Sequence, residues 1–163
     1  MAALEAGADA VYLGLKKFGA RAGALNFTGE ELLDDLDVAH IHGRKIYLTV
    51  NTLFKDSEMD ELYDMLYRPY LNGLDGVIVQ DIGVMSAIHD MFPDLALHVS
   101  TQAGITASSG ARFLAELNVK RIVPARELSL REIRKLYDET HLEIECFIHG
   151  SMCYSYSGKC LLS

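Results

Sequence analysis

Three cysteines stand near the end of the chain at a constant interval of seven residues, Cys146, Cys153 and Cys160, within the run "ECFIHGSMCYSYSGKC". Thiolates are soft ligands, and soft-metal sites ordinarily take three or four of them, often from separate loops. The loop is suited to such a role. Gly150 and Gly158 permit unusual backbone angles, while serine hydroxyls and amide N–H groups can hydrogen-bond sulfur. On spacing alone, two unliganded thiols on a Ser/Tyr-rich loop is an equal reading. Cys146 lies in an apolar run and reads as a small buried hydrophobe on a strand. A second chemistry is a Cys153–His149 dyad, for which no third orienting group is identifiable. No convincing Ser/His/Asp order and no H-E-x-x-H motif is present.

Further polar residues stand where apolar runs stop: Asn51, Gln80 with Asp81, Ser100 to Gln102, Arg126 with Glu127, and His149. Asn51, Gln80 and Arg21 are candidate substrate-binding residues, and Arg21 with Arg126 can clamp an anionic group. His149 suits general acid–base work near neutral pH, with Asp81 and Gln102 as further catalytic candidates. Glu145, Phe147 and His149 share one face if the segment is a strand. An inward Glu145 needs a cation, and Arg126 on the preceding run is the obvious partner. Plainer roles stand beside these. Asp81 and Ser100 serve equally as helix caps, Glu145–Arg126 as a structural ion pair, and His149 as a support for the Cys153 loop. Tyr154 and Tyr156 either stack on a ring or pack the loop. His40, His42, His89 and His141 are expected to face solvent.

The elements that must position these groups alternate regularly. Strand candidates are 10–14, 45–51, 76–81, 95–100, 121–126 and 142–150, several of them near-continuous apolar runs, as in parallel strands covered on both faces. Helical patterns separate them. Thr28 with Glu31 and Ser129 with Glu132 form capping boxes, Asp56 can cap a third helix, and two shorter helices fit 83–92 and 106–117. Alternation of this kind makes a parallel sheet, either open and doubly wound or closed as a barrel. No G-x-G-x-x-G follows the first strand and no P-loop occurs, so the (β/α) TIM-like barrel is preferred.

The 163 residues suffice for one core domain, and half of them are hydrophobic. A formal charge of −8 without a basic block offers no electrostatic footprint for a phosphate backbone, unless a basic pocket lies inside the acidic shell. No apolar run reaches the roughly 20 residues a membrane span needs. Three clustered cysteines make no disulfide framework and point to a reducing cytoplasm. Six strands fall short of the eight of a full barrel. The expectation is one partial, incomplete barrel domain over 1–163, truncated at both ends from a longer protein. Its open edges would favour a homo-dimer or a domain swap.

From Glu145 the chain reads E-x-F-x-x-G-S-M-C-x-x-x-x-x-x-C-L-L-S. This run resembles the signature of the collagenase-like peptidase family, U32. "GADAVYLG", "FGARAGALNF", "VNTLFKDSEMDEL", "VIVQDIG" and "HVSTQAGITASSGARFLAELNVKRIVPARELSL" resemble the same family, so the likeness runs over essentially the whole chain. The resemblance implies an incomplete TIM-like barrel. It also implies a [4Fe-4S] cluster held by four cysteines, with Cys153 and Cys160 at the first two ligand positions and no ligand role for Cys146. The implied activity is oxygen-independent hydroxylation of RNA (tRNA or rRNA) or of a ubiquinone precursor, a small aromatic substrate. A peptidase or a non-catalytic barrel subunit is the alternative. With two ligands only, this chain by itself is expected to hold no cluster.

Overall fold

The computed structural model describes residues 2–21 and 23–161. Six strands alternate with helices. They are β1 (Ala10–Gly14), β2 (Lys45–Val50), β3 (Gly76–Val79), β4 (Leu97–Val99), β5 (Arg121–Ile122) and β6 (Glu143–Ile144). A short α1 (Ala2–Glu5) comes before β1. The connecting helices are α2 (Gly29–Ile41), α3 (Met59–Leu71), α4 (Ile82–Met91), α5 (Ser108–Ala115) and α6 (Leu130–Thr140).

The helices start where side chains can satisfy their first amide groups. Thr28 and Glu31 form the expected box on α2, with the Thr28 amide donating to the Glu31 carboxylate at 2.7 Å. Ser129 and Glu132 repeat it on α6. Such caps stabilise by about 1 kcal/mol each. Asp56 opens a 3-10 turn, Asp56–Glu58, rather than α3 itself, and the Glu58 carboxylate accepts from the Lys55 amide at 2.7 Å.

All six strands are parallel and lie in sequential order in one sheet. Strand order that never reverses excludes the doubly wound arrangement, which requires a switch point. The hydrophobic core takes alternate residues from the first five strands, Leu13, Ile46, Leu48, Val50, Val77, Val79, Leu97, Val99 and Ile122, with Ile144 of β6 partly buried against it. These pack on Leu32, Leu36, Leu62, Leu66, Ile88 and Leu114 from the helices. Alternation assigns Tyr12, Tyr47, Thr49, Ile78, His98, Arg121 and Glu143 to the opposite face. Gly76 is required on that face: a Cβ there would lie 2.8 Å from the Ala96 carbonyl oxygen. The sheet is open, with β1 and β6 at its edges among the described residues.

The last two strands are much shorter than their apolar runs suggest. The Val123 amide still donates to Val99 O, but Pro124 has no amide to give, and the Ala125 amide turns away to Ile105 O. β6 pairs with β5, so the loss of β5 removes its partner, and the final ladder bond runs from the Glu145 amide to Ile122 O. Residues 145–149 are therefore not strand, and Glu145, Phe147 and His149 do not form one alternating face.

Candidate functional site at the carboxyl ends of the strands

A cavity of about 470 Å³ opens at the carboxyl ends of β1 and β2, walled on its far side by the cysteine loop. Cys153 and Cys160 both belong to its wall, together with Arg21, Asn51, Gln102 and Arg126. Sequence reasoning had singled out all six. Parallel α/β sheets place ligands at this end because the connecting loops converge there. Although the chain carries 23 Asp and Glu against 15 Lys and Arg, among the described residues the wall holds two arginines and no carboxylate. The cavity is thus an acid-free opening in an acidic protein, suited to electron-rich or anionic ligands.

Arg126 is not the partner of Glu145. Its guanidinium donates to the main-chain carbonyls of Cys153 and Ser155, the latter at 2.7 Å, and its amide donates to Ser157 Oγ at 3.0 Å. Glu145 instead accepts from Arg121 at 3.1 Å, as does Glu143 at 2.7 Å. Parallel register is the cause. Arg121 lies opposite Glu143, two residues short of Glu145, whereas Arg126 stands beyond the end of β5. Arg21 and Arg126, expected to clamp an anionic group, both line the cavity, and the Arg126 guanidinium is engaged by the two carbonyls.

The remaining candidates separate cleanly. Asn51 accepts from the Ala20 amide at 2.9 Å and so holds the loop that carries Arg21 against the sheet. Asp81 accepts from the Val84 amide at 3.1 Å, capping α4, and from the Phe54 amide at 3.2 Å. Gln80 and Asp81 lie outside the cavity wall, as does His149, which is exposed. Ser100 caps the turn Thr101–Ala103 by accepting from the Gln102 amide. Tyr154 and Tyr156 are exposed and do not pack the loop, and only Tyr156 reaches the wall.

Cys146 is exposed and not a buried strand residue, because β6 has already ended. Partial desolvation of its sulfur, reinforced by the charge of Glu145, holds its thiol above the ordinary range, which disfavours the thiolate form. Cys153 is exposed and Cys160 half-buried. Among the described residues no group of three or more His, Cys, Asp or Glu gathers as a metal site. The described wall therefore supplies two thiols, which fits half of a four-thiolate set and does not complete one.

Ser157 and His98 were not singled out from the sequence, and of Gly158 only an unusual backbone angle was expected. Ser157 is 7% exposed, and its amide donates to the Glu127 carboxylate at 2.7 Å. Partial burial opposes ionisation of Glu127, but the amides of Ser157 and of Glu127 itself, the Ser157 hydroxyl and the charge of Arg126 together hold the carboxyl below its ordinary value. Gly158, at φ +72°, presses so closely on Gln102 that a Cβ would lie 2.2 Å from its carbonyl oxygen.

His98 is buried to 3% on the sheet face opposite the helices, with no partner for Nδ1 among the described residues. The signal that could have found it is a histidine inside the apolar run "LALHV". Its ring meets Tyr47 edge-on at 4.5 Å, and Arg121 lies beside it in register. Burial, then the charge of Arg121, lowers its pKa from 6.5 to about 4, with Lys45 acting in the same sense and Glu143 opposing. The unfolded chain therefore takes up this proton first. Stability is complete above pH 6.5, declines by up to about 3 kcal/mol as pH falls to 4, and loses nothing further to this group below that. Urea denaturation across pH 4–7 should show the decline, and His98→Phe should flatten it. An equal slope in the variant would assign the effect to other groups.

The described residues thus form an α/β fold with one open, sequentially ordered parallel sheet, and two cysteines line the cavity at the carboxyl ends of its strands. The chain belongs to peptidase family U32, whose family model matches residues 1–163. It is similar to a 23S rRNA 5-hydroxycytidine synthase of Escherichia coli (strain K12), 40% identical over 96% of this chain and 23% of that protein. A tRNA hydroxylation protein of Bacillus subtilis (strain 168) is 38% identical over 99% of this chain and 38% of its own length. A collagenase of Porphyromonas gingivalis (strain ATCC BAA-308 / W83) is 32% identical over the whole chain and 42% of its own length. The chain thus spans less than half of these relatives. The solved structure of the U32 peptidase Mk0906 superposes with a TM-score of 0.72, covering 86% of this chain and 60% of that one. At 19% identity that likeness concerns the fold alone. No described helix is long and apolar enough to cross a membrane.

Proposed function

We propose that the full-length protein assists oxygen-independent hydroxylation of a pyrimidine in tRNA or rRNA in the cytoplasm, with Cys153 and Cys160 as two of four thiolate ligands of a [4Fe-4S] cluster. The observation that carries this reading is the placement of both sulfurs on the wall of one cavity at the carboxyl ends of the strands. When bound, the cluster would supply one-electron transfer beside the substrate. The chain's own residues do the rest. Arg126 and Gly158 hold the cysteine loop on the sheet, Asn51 holds the Arg21 loop, and the acid-free wall admits an electron-rich ring without charge repulsion. Tyr156 offers a stacking surface at the rim and Gln102 a polar group on the wall.

Relatives named for tRNA and rRNA hydroxylation, similar over 96% or more of this chain, favour RNA over a quinone precursor. The open edges β1 and β6 are read as positions for the further strands of a closed barrel. A dimer of this isolated chain in sedimentation would instead mark pairing between copies. The direct test compares nucleosides from tRNA and rRNA by mass spectrometry in a strain with and without the parent gene. A hydroxylated pyrimidine that vanishes with the gene and returns with it is the expected result. Identical nucleoside profiles would sink the RNA reading and return weight to the peptidase reading.

A further inference from the structure

Cys153 and Cys160 line the cavity although the loop that carries them has no regular secondary structure from residue 145 onward. Something other than a helix or strand must fix it. The fixings converge on two adjacent residues just past β5. Arg126 reaches the carbonyls of Cys153 and Ser155, spanning the main chain beside the first thiol. Glu127 takes the Ser157 amide, and Ser157 Oγ takes the Arg126 amide. Thr101 adds a contact at 3.4 Å between its hydroxyl and Ser157 Oγ, and itself donates to Pro124 O at 3.2 Å. One cation, one anion and one buried hydroxyl thus close a ring of contacts between the end of β5 and residues 153–157.

We infer that Arg126 and Glu127 are positioning residues that set Cys153 and Cys160 on the cavity wall before any metal arrives. A flexible loop bearing two ligands would have to be ordered at the moment of metal binding, at an entropic cost of roughly 1–2 kcal/mol per residue fixed. A loop already held by charge-assisted hydrogen bonds avoids most of that cost. The division of labour is specific. Arg126 acts on the segment that starts at Cys153, while Glu127 and Ser157 act on the segment that leads into Gly158 and Cys160. The two halves are independent enough to be separated by mutation. Arginine is needed at 126 because a planar guanidinium can donate to two carbonyls at once, which the compact ammonium of lysine does less well.

The inference rests on the proposed iron–sulfur reading in one of its two readouts, so the test is built on both. In the full-length apoprotein, Arg126→Gln should raise the iodoacetamide alkylation rate of Cys153, with Cys160 much less affected. About tenfold is expected at Cys153, the factor lost with hydrogen bonds to a charged donor. Cys146 should react unchanged. Glu127→Gln should act mainly on Cys160, and Arg126→Lys should fall between wild type and Arg126→Gln. A general loss of structure would raise all three cysteines together and lower the melting temperature, and this outcome would overturn the assignment. In protein purified without oxygen, Arg126→Gln should release iron to a chelator faster by a similar factor, with an altered electron paramagnetic resonance spectrum. Unchanged alkylation in every variant overturns the inference while leaving the function intact. A protein that never binds iron overturns the function while the alkylation pattern still decides the positioning role.

Discussion

Cys153→Ser and Cys160→Ser, each placed in the full-length protein, should lower the hydroxylated nucleoside to the level of the gene deletion, while Cys146→Ser should leave it at the wild-type amount. The three cysteines are chemically alike and evenly spaced, so spacing cannot separate them; the structure does. Cys153 and Cys160 lie on the cavity wall, whereas Cys146 does not and carries a thiol held above its ordinary range. Serine keeps the size and polarity of the site but is a far poorer ligand for iron. Because Cys153 is exposed and Cys160 half-buried, either change should alter stability by only about 0.5 kcal/mol. Mass spectrometry of the RNA and a melting curve of the protein check the two halves of this expectation. Full modification by Cys153→Ser protein would remove that residue from the ligand set.

Gly158→Val should detach the second half of the loop. At φ +72° a β-branched residue carries strain of about 1–3 kcal/mol, and the added Cβ would meet the Gln102 carbonyl oxygen at 2.2 Å. Both groups are main chain, so neither side can yield by turning a rotamer. The segment must lift away, taking Ser157 out of its buried seat and Cys160 off the wall. A penalty of about 3 kcal/mol shifts the docked–undocked balance by roughly 100-fold. Lys159, exposed and next to the change, gives the readout through its rate of tryptic cleavage. Gly150→Ala is the control, since Gly150 also has positive φ but no atom within 4 Å of its Cβ position. It should accelerate cleavage far less. Equal rates in both variants would show that the contact with Gln102 does not hold the loop.

Much of the scaffold was legible because its determinants are local. The capping boxes at Thr28 and Ser129 read directly as helix starts, and the apolar runs of β2 and β3 read as buried parallel strands. The ends of β5 and β6 were misjudged because hydrophobicity was followed through Pro124, whose missing amide ends the ladder. That single break also undid the proposed face of Glu145, Phe147 and His149. Membership of the cavity was readable for Asn51, Gln102, Arg126, Cys153 and Cys160, since they follow apolar runs or sit in the glycine-bearing loop.

Their roles were less readable. Arg126 grips carbonyl oxygens, which every residue possesses and no sequence pattern marks. The choice of Arg121 over Arg126 as partner for Glu145 depends on strand register, a property of the sheet and not of either segment. His98 was overlooked because one polar residue in a strand run looks like an ordinary alternation. Only its burial and its unpartnered nitrogen set it apart.

The central claim is that Cys153 and Cys160 provide half of a four-sulfur iron site. Its most direct measurement is the iron and acid-labile sulfide content of the full-length protein purified without oxygen, read together with its visible spectrum. About four iron and four sulfide per chain with a broad brown absorbance are predicted, both lost in the Cys153→Ser, Cys160→Ser double variant. A colourless, iron-free protein that still restores the hydroxylated nucleoside would contradict the account.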